Sequence, residues 1–477
     1  MAALHNTSSH IDPISAAPQL LLPAPHAAQR PHLDIPDIPG HRAAPQEGLS
    51  ESYLVISGGT GCNAICTAFA RASYVLPVSD DGGSSSEIIR VLGGPSIGDI
   101  RSRLVRLIPP AAPGTPLDAL RTLLAHRLPS GNDAARDEWR SIVEGRSSLW
   151  TGIPEDRKET IRGFLVYFEG EILRRAHKNF SFVNGSIGNF LLAATQAFFR
   201  SLPSAVFLFS SITNSQANII PVIATNHTVT ISAELADGTH LVGQCEISHP
   251  VARPPSDENE DLPSLTFDTI SPTMSAQTQN VFFNPTSKDS YEKLRAPIRR
   301  LYYINAYGHE VHPIPTPEYI SGLGSNEVLV YSCGSFWTSI VPCLALRGVA
   351  SAIARSGSLR AKVLFLNSKN DRETEGYTAV DYILAIARTL NARYQTEPYG
   401  LALGNAATTY PVSAFVTHLV YLRGCAVHVD VARASELGVE CVEVESGAVG
   451  ADGTPLYDAM CAKKALEQVR GGRHPCT

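Results

Sequence analysis

Two adjacent carboxylates, Asp80 and Asp81, stand directly ahead of a run of small residues, Gly82-Gly83-Ser84-Ser85-Ser86. Carboxylates beside backbone N–H donors can hold a divalent cation such as Mg²⁺ against a phosphoryl group. One of them, or a metal-bound water, can also take the proton of an attacking hydroxyl. Earlier in the chain lies Gly58-Gly59-Thr60-Gly61, within which Gly59-Thr60-Gly61-Cys62-Asn63-Ala64 fits the G-x-G-x-x-A dinucleotide fingerprint. Its glycines let backbone N–H groups approach a phosphate, and the helix expected behind them presents its positive end. An acid about twenty residues beyond the fingerprint suits ribose binding. A doubled acid followed by a second Gly/Ser loop is more than a dinucleotide-dependent oxidoreductase needs. The bland alternative is a glycine-rich turn of an α/β sheet with solvated acids.

The elements that must position these residues can be read in order. Tyr53-Leu-Val-Ile-Ser has the form of a buried strand, and Tyr74 to Ser79 is a second strand ending at the twin acids. Gly98-Asp99-Ile100-Arg101 opens a helix to about Ile108. Asp99 either stabilises that first turn by about 0.3–1 kcal/mol or faces the ligand together with Arg101. Helices are expected at 116–128, 133–144 and 154–176, with their charged residues read as a solvated face. Asn184-Gly185-Ser186-Ile187-Gly188-Asn189 leads into an apolar helix, with Ser186 either a simple N-cap or part of the ligand cleft. Asp237-Gly238 between alternating runs, the second reaching Ile247, signals a hairpin. Residues 298–305 read as a strand. Val328-Leu-Val-Tyr feeds Ser332-Cys333-Gly334-Ser335, which opens an apolar helix to about Ser356 and forms a second backbone anion site. Cys333 lacks an obvious base and is not read as a nucleophile. A further strand ends at Asn367, suited to a base or sugar hydrogen bond, or else a plain turn residue. Two or three strands over 414–445 and a helix over 456–469 close the chain.

A length of 477 residues suits one large α/β domain with additions. Residues 1–50, rich in Pro, Ala and His, read as a disordered arm, and 249–295 as a long structureless, mobile insertion. A net charge of −6 argues against nucleic acid as a partner. The nine cysteines include no C-x-x-C pair, and no apolar run is long enough to span a membrane. Together these imply a cytoplasmic protein with reduced thiols and no membrane partner. The oligomeric state is left open, a homo-oligomer included.

Gly58-Gly59-Thr60-Gly61, Asp80-Asp81-Gly82-Gly83-Ser84-Ser85, Gly98-Asp99-Ile100-Arg101, Ser186-x-x-Asn189 and Asn367…Glu373-Thr374-x-Gly376-Tyr377 follow one another in an order that resembles the CofD/YvcK family. Where that family has Pro-Gly-Ser-Leu, this chain has Cys333-Gly334-Ser335-Phe336. The resemblance implies a doubly wound, Rossmann-like parallel sheet with helices on both faces and a small β-hairpin insertion. It implies transfer of a phospholactyl group from a guanosine diphospho-lactate donor to a deazaflavin-like acceptor, or a YvcK-like regulator that binds a UDP-sugar without chemistry. In the transferase reading Gly58–Gly61, Gly334 and Ser335 hold the nucleotide phosphates, with Ser186, Asn189 and Asn367 lining the nucleotide cleft. Asp80 and Asp81 hold Mg²⁺ and act in catalysis. Gly82–Ser85, Asp99, Arg101 and Glu373 face the substrate, and no redox cofactor is needed. The acceptor stays open, because the N-terminal arm and acidic insertion look eukaryotic.

Overall fold

Runs such as Tyr53-Leu-Val-Ile and Val328-Leu-Val-Tyr carry apolar side chains on both faces, so each needs cover above and below. A parallel sheet between layers of helix provides it. The computed structural model, which describes residues 51–69, 71–249, 293–392 and 409–471, has this architecture. The arm at 1–50 and almost all of the insertion at 249–295 lie outside the described residues.

β1 (Tyr53–Ile56) and β2 (Ala72–Leu76) are joined by two 3₁₀ turns, Gly61–Ala64 and Cys66–Ala68, where the fingerprint predicts a helix. The reason is packing. Cys62, Ile65, Cys66 and Phe69 press into one sheet face beside Cys461, Ala465 and Leu466 of the C-terminal helix, which occupies the place of a crossover helix. The first glycine loop therefore has no α-helix dipole behind it.

α1 (Gly83–Leu92) and α2 (Gly98–Arg106) follow β2. Next come α3 (Pro116–Ala125), α4 (Asn132–Val143), α5 (Glu155–Leu173), α6 (Ile187–Phe199) and α7 (Leu202–Thr213), close to the helices expected. Trp139 stacks on Phe182 and meets Phe168 and Phe190 edge-on, which ties α4, α5 and α6 together.

β3 (Asn218–Pro221) pairs with β2. β4 (Thr230–Leu235) and β5 (His240–Val242) form the expected hairpin, but the second strand stops early. Gly243 at φ +88 turns the chain into α8 (Gln244–Ser248). β6 (Ile298–Ile304) and β7 (Glu310–Val311) enlarge the hairpin to a four-stranded antiparallel sheet. α9 (Pro317–Ser325) and β8 (Val328–Tyr331) return to the main sheet. The long helix expected to Ser356 is instead broken into a π-helical turn (Phe336–Ile340), α10 (Val341–Leu344) and α11 (Val349–Ala354). Pro342 in the first turn of α10 and Gly348 at φ +88 interrupt the helical ladder. β9 (Ala361–Phe365), α12 (Ala379–Leu390), β10 (His418–Leu422), α13 (Val431–Glu436) and β11 (Glu440–Val444) complete the sheet. A short hairpin, β12 (Ala448–Val449) and β13 (Pro455–Leu456), precedes α14 (Ala459–Gly471).

The main sheet runs β11-β10-β9-β8-β1-β2-β3 and is parallel throughout. The chain builds from β1 out to β3, returns to β8 on the other side of β1, and builds outward again. This is the doubly wound arrangement expected. The reversal lies between β1 and β8, where Tyr53 registers with Val328 and Ile56 with Tyr331. In such sheets the crevice beyond the carboxyl ends at the reversal is the place for a ligand. No helix among the described residues is long and apolar enough to cross a membrane.

Candidate functional site

The loops after β1, β2, β8 and β9 all leave from this carboxyl edge, and they carry most of the residues singled out from sequence. The two glycine loops meet directly. A Cβ on Gly61 would stand 2.6 Å from the Cys333 carbonyl oxygen and 2.7 Å from the Gly334 Cα, and Gly334 takes φ +132. Glycine is thus demanded at both positions by backbone-to-backbone contact. Asn367 fastens the second loop: Gly334 N–H donates to its Oδ1 at 2.8 Å, and its Nδ2 donates to Gly334 O at 2.8 Å. Its amide is spent on the loop rather than free for a base or sugar. Burial pushes the Cys333 thiol up to about 12, which keeps it protonated and unreactive.

Glu373 also acts on this second loop. Its carboxylate accepts from Trp337 N–H at 2.8 Å, Thr338 N–H at 3.1 Å and Thr338 Oγ1 at 2.6 Å, and from the Ser248 hydroxyl. The chain's own carboxylate therefore caps the helical turn after Gly334-Ser335, where the sequence suggests a bound phosphate. The expected anion site there and the substrate-facing role of Glu373 are both revised. The small antiparallel sheet takes part, since Ser248 closes α8. Burial first, then the charge of Asp371, lifts the Glu373 carboxyl from 4.5 to about 7. A carboxyl raised on folding binds its proton more tightly in the folded state. Its stabilisation is complete below the unfolded value and is lost as pH rises through the folded one, by roughly 1–3 kcal/mol. Glu373→Gln is expected to flatten this fall, checked by urea midpoints at about pH 5 and about pH 8 for both proteins. An unchanged slope in the variant would refute the assignment.

The twin acids part company. Asp81 Oδ1 accepts the Cys245 N–H at 2.8 Å, and Gly243 is close enough that a Cβ there would run into the same carboxylate. Asp81 thus pins the turn between β5 and α8, which revises its role as half of a metal pair. Asp80 points the other way. Its Oδ1 accepts the Gly82 N–H at 3.0 Å, and a Cβ on Gly98 would fall 2.5 Å from both its Oδ2 and Ser85 Oγ. The acid that most affects Asp80 is Asp99. Burial, then the Asp99 charge, pushes the Asp80 carboxyl well above its usual range. Burial lifts Asp99 to about 6, restrained by the Gly59 N–H and Arg103. Asp99 Oδ2 is buried without a hydrogen-bond partner. The acid whose charge bears most on Asp80 is therefore Asp99, in the first turn of α2, rather than its sequence neighbour Asp81.

Three helix starts converge on this pair. Gly82, Gly83, Ser84 and Ser85 begin α1, and Gly83 needs its φ of +54 rather than space. Gly98 and Asp99 begin α2. Ser186 to Asn189 begin α6, tied to α1 by Asn189 Nδ2 donating to Ser84 Oγ at 2.7 Å. Ser186 is fully buried, yet its hydroxyl caps nothing and has no partner. The simple N-cap explanation of Ser186 is thereby removed. Arg101 crosses the first turn of α6, where a Cβ on Gly188 would lie 3.2 Å from its Cγ and Nε. Burial, then the nearby Arg127, lowers Arg101 to about 10.

The first glycine loop rests on Arg103, which is fully buried. Its guanidinium donates to Gly58 O at 3.0 Å and Asn63 Oδ1 at 3.1 Å, and lies 5.0 Å from the Tyr74 ring centroid. Ser102 Oγ donates to Gly59 O at 2.9 Å. Gly58 packs against Ser339, and Thr60 is exposed at the rim. Among the described residues Ser335 supplies its carbonyl, to Ser339 N–H at 3.1 Å.

Sequence reasoning missed Arg103 and Arg127. Arg103 lies on the helix flagged at Gly98, two residues beyond Arg101, but its neighbour Arg106 is exposed and equally basic in sequence. Arg127 follows a helix read as a solvated face, and only its isolated bridge to Ser186 brings it in. Among the described residues no group of three or more His, Cys, Asp or Glu gathers as a metal cage.

Comparison with known proteins gives a family model, three relatives and a solved structure. The family model described as 2-phospho-L-lactate transferase CofD matches residues 54–446. The uncharacterized protein YNL011C of Saccharomyces cerevisiae is 33% identical over 431 residues, covering 83% of this chain and 95% of the relative. The gluconeogenesis factor of Halalkalibacterium halodurans is 22% identical, covering 70% of this chain and 73% of its own. That of Bacillus subtilis is 21% identical, covering 71% and 75%. A crystal structure of a UPF0052 family member from Bacillus halodurans superposes with a TM-score of 0.55 at 19% identity, covering 87% of this chain and 99% of that one. This last likeness is one of fold.

Proposed function

The chain belongs to the CofD family, and from that premise we propose that it is a transferase for a phosphate-ester group carried on a nucleotide. The ligand lies across the carboxyl ends of β1, β2 and β8. One observation carries the reading: the starts of α1, α2 and α6 converge, with Arg101 and Arg127, on the half-buried carboxylates of Asp80 and Asp99. Helix starts and guanidiniums attract phosphate oxygens, and buried carboxylates attract a cation. A site with both is suited to a phosphoryl group and its metal.

The residues present fit Mg²⁺. Asp99 Oδ2 is a buried hard donor without a partner, and Asp80 stands beside it. Mg²⁺ commonly takes one or two carboxylates and fills its shell with phosphate oxygens and water, so a third protein acid is not required. The chemistry a bound Mg²⁺ supplies is withdrawal of charge from the phosphoryl oxygens. The chain's own residues do the rest. The Gly58–Gly61 backbone and α1 bind the phosphates, Ser84 and Asn189 fix the α1–α6 junction, and Asp80 or Asp99 accepts the acceptor's hydroxyl proton. A carboxyl lifted toward neutrality by burial suits that task. The donor that the family implies is guanosine diphospho-lactate, and the acceptor is a hydroxyl compound of deazaflavin type or one that replaces it.

A second reading has its own support. Glu373 fills the helical turn after Gly334-Ser335, and Asp81 is committed to Cys245 N–H. A chain with these positions closed could hold a UDP-sugar as a metabolic regulator without chemistry, in line with its gluconeogenesis-factor relatives. Thermal shifts with GDP, GTP, UDP-glucose and NAD, each with and without Mg²⁺, separate the two. A Mg²⁺-dependent shift with guanine nucleotides supports transfer. A Mg²⁺-independent shift with UDP-glucose alone supports the regulator, and a shift with NAD alone overturns both.

A further inference from the structure

α8 carries the small antiparallel sheet onto the carboxyl edge of the main sheet, and each of its ends is tied to a different loop there. At one end Cys245 N–H donates to Asp81, in the loop after β2. Burial first, then the charges of Asp81 and Asp80, push the Cys245 thiol upward, so this end lies over the acids. At the other end Ser248 Oγ lies 3.1 Å from Thr338 Oγ1, in the turn after β8, and donates to Glu373, in the loop after β9. Arg372 Nε, next to Glu373, donates to Ile247 O at 3.3 Å.

The strand order turns these contacts into a path. β9, β8, β1 and β2 lie side by side in the main sheet. An element tied to the loop after β2 at one end, and to the loops after β8 and β9 at the other, crosses the ends of β1 and β8. That is the reversal, where the crevice lies. The lengths agree: three strand spacings come to about 14 Å, a five-residue helix rises about 7.5 Å, and the Asp81 and Glu373 carboxylates reach in from opposite sides. Ile247 is fully buried, which seats the crossing on the core and makes the closed form the resting one. Gly243, at φ +88, joins it to β5. A single helical turn has no stability of its own, so α8 stays where its end contacts hold it. Glu373 also accepts from Trp337 N–H, Thr338 N–H and Thr338 Oγ1. Release of Ser248 therefore leaves no buried carboxylate without donors.

We propose that α8 is a strap across the ligand crevice, hinged at Gly243 and latched where Ser248 meets Thr338 and Glu373, and that ligand enters and leaves when the latch opens. The strap sets the rate of exchange, as closing elements over ligand sites do, and leaves the chemistry to the residues beneath it. This rests on the crevice being the ligand site read above and adds how access to it is controlled.

The test is a reversible lock in the full chain. Ser248→Cys with Thr338→Cys places two thiols where the hydroxyl oxygens lie 3.1 Å apart. Oxidised glutathione takes up their two hydrogens and closes a disulfide, confirmed by peptide mass, and dithiothreitol reopens it. With Mg²⁺–GDP as the probe in stopped flow, association is expected to slow about ten-fold or more in the oxidised protein and to recover on reduction. Ser248→Ala, which removes the latch hydroxyl without a disulfide, should speed association and dissociation together and leave the affinity within about two-fold. Equal rates in oxidised and reduced protein, with Ser248→Ala matching the wild type, overturn the strap and leave the ligand site standing. If Mg²⁺–GDP binds neither the wild type nor the reduced variant, the phosphate-binding reading falls, and hydrogen exchange in the ligand-free chain decides the strap. Gly59 N–H, buried in the crevice at Asp99 and remote in sequence from both cysteines, should then exchange about ten-fold or more slowly in the oxidised protein than in the reduced one. Equal exchange overturns the strap.

Discussion

Asp80→Asn is expected to abolish the Mg²⁺-dependent part of nucleotide binding while leaving the protein at least as stable as the wild type. The two effects have one cause. Asp80 and Asp99 are half-buried, and both carboxyls are lifted, first by loss of water and, for Asp80, next by the Asp99 charge. A neutral amide removes the repulsion between them and the desolvation of one charge, so the fold loses nothing at neutral pH. The same change removes half of the hard-oxygen pair that would hold the cation. A loss of about 100-fold in Mg²⁺-dependent affinity, near 3 kcal/mol, is the expected scale. Calorimetry with GDP with and without Mg²⁺ reads the binding, and a melting curve of each protein reads the fold. Asp81→Asn should do the opposite. It weakens the hold on Cys245 N–H and so lowers stability, with the Mg²⁺ dependence kept. If Asp81→Asn rather than Asp80→Asn removed the Mg²⁺ dependence, the redrawn acid pair would be wrong.

The second large effect concerns Gly61. Alanine there would put its Cβ 2.6 Å from Cys333 O and 2.7 Å from Gly334 Cα. Both obstacles are backbone, and the loop that bears them is clamped at both ends of the Asn367 amide. Relief requires β1 and β8 to shift at the point where they are paired, Ile56 with Tyr331. A cost of about 2–4 kcal/mol is expected, together with loss of nucleotide binding because both loops move. Gly163→Ala gives the contrast. It lies inside α5 with nothing within 4 Å of an added Cβ, so it should gain about 0.5–1 kcal/mol. Urea unfolding of the three proteins tests this pair of signs. A Gly61→Ala chain that unfolds with the wild type would show that the two loops are not in contact.

The sequence carried the strands and most helices because their signals are local. A strand buried on both faces is a short unbroken apolar run, as in Leu54-Val-Ile and Leu329-Val-Tyr, and glycines and prolines mark its ends. The order of the motif blocks was likewise readable, and with it the doubly wound sheet. Where local signals failed, a distant part of the chain had taken over. The helix predicted behind Gly61 is absent because α14, almost four hundred residues later, fills its place.

Residue type and position thus determined that acids, glycine loops and Arg101 would share the carboxyl edge of one parallel sheet. Only the tertiary structure decided which of them face one another. Neighbours in sequence need not point the same way, so Asp80 and Asp81 turned apart, one to Asp99 and the other to Cys245 N–H. Groups remote in sequence found each other: the sheet's reversal at β1 and β8 stacks Gly61 on Gly334, and the packing of α3 against α6 sets Arg127 beside Ser186. Side-chain direction and burial are set by packing across the whole domain, and no spacing along the chain encodes them.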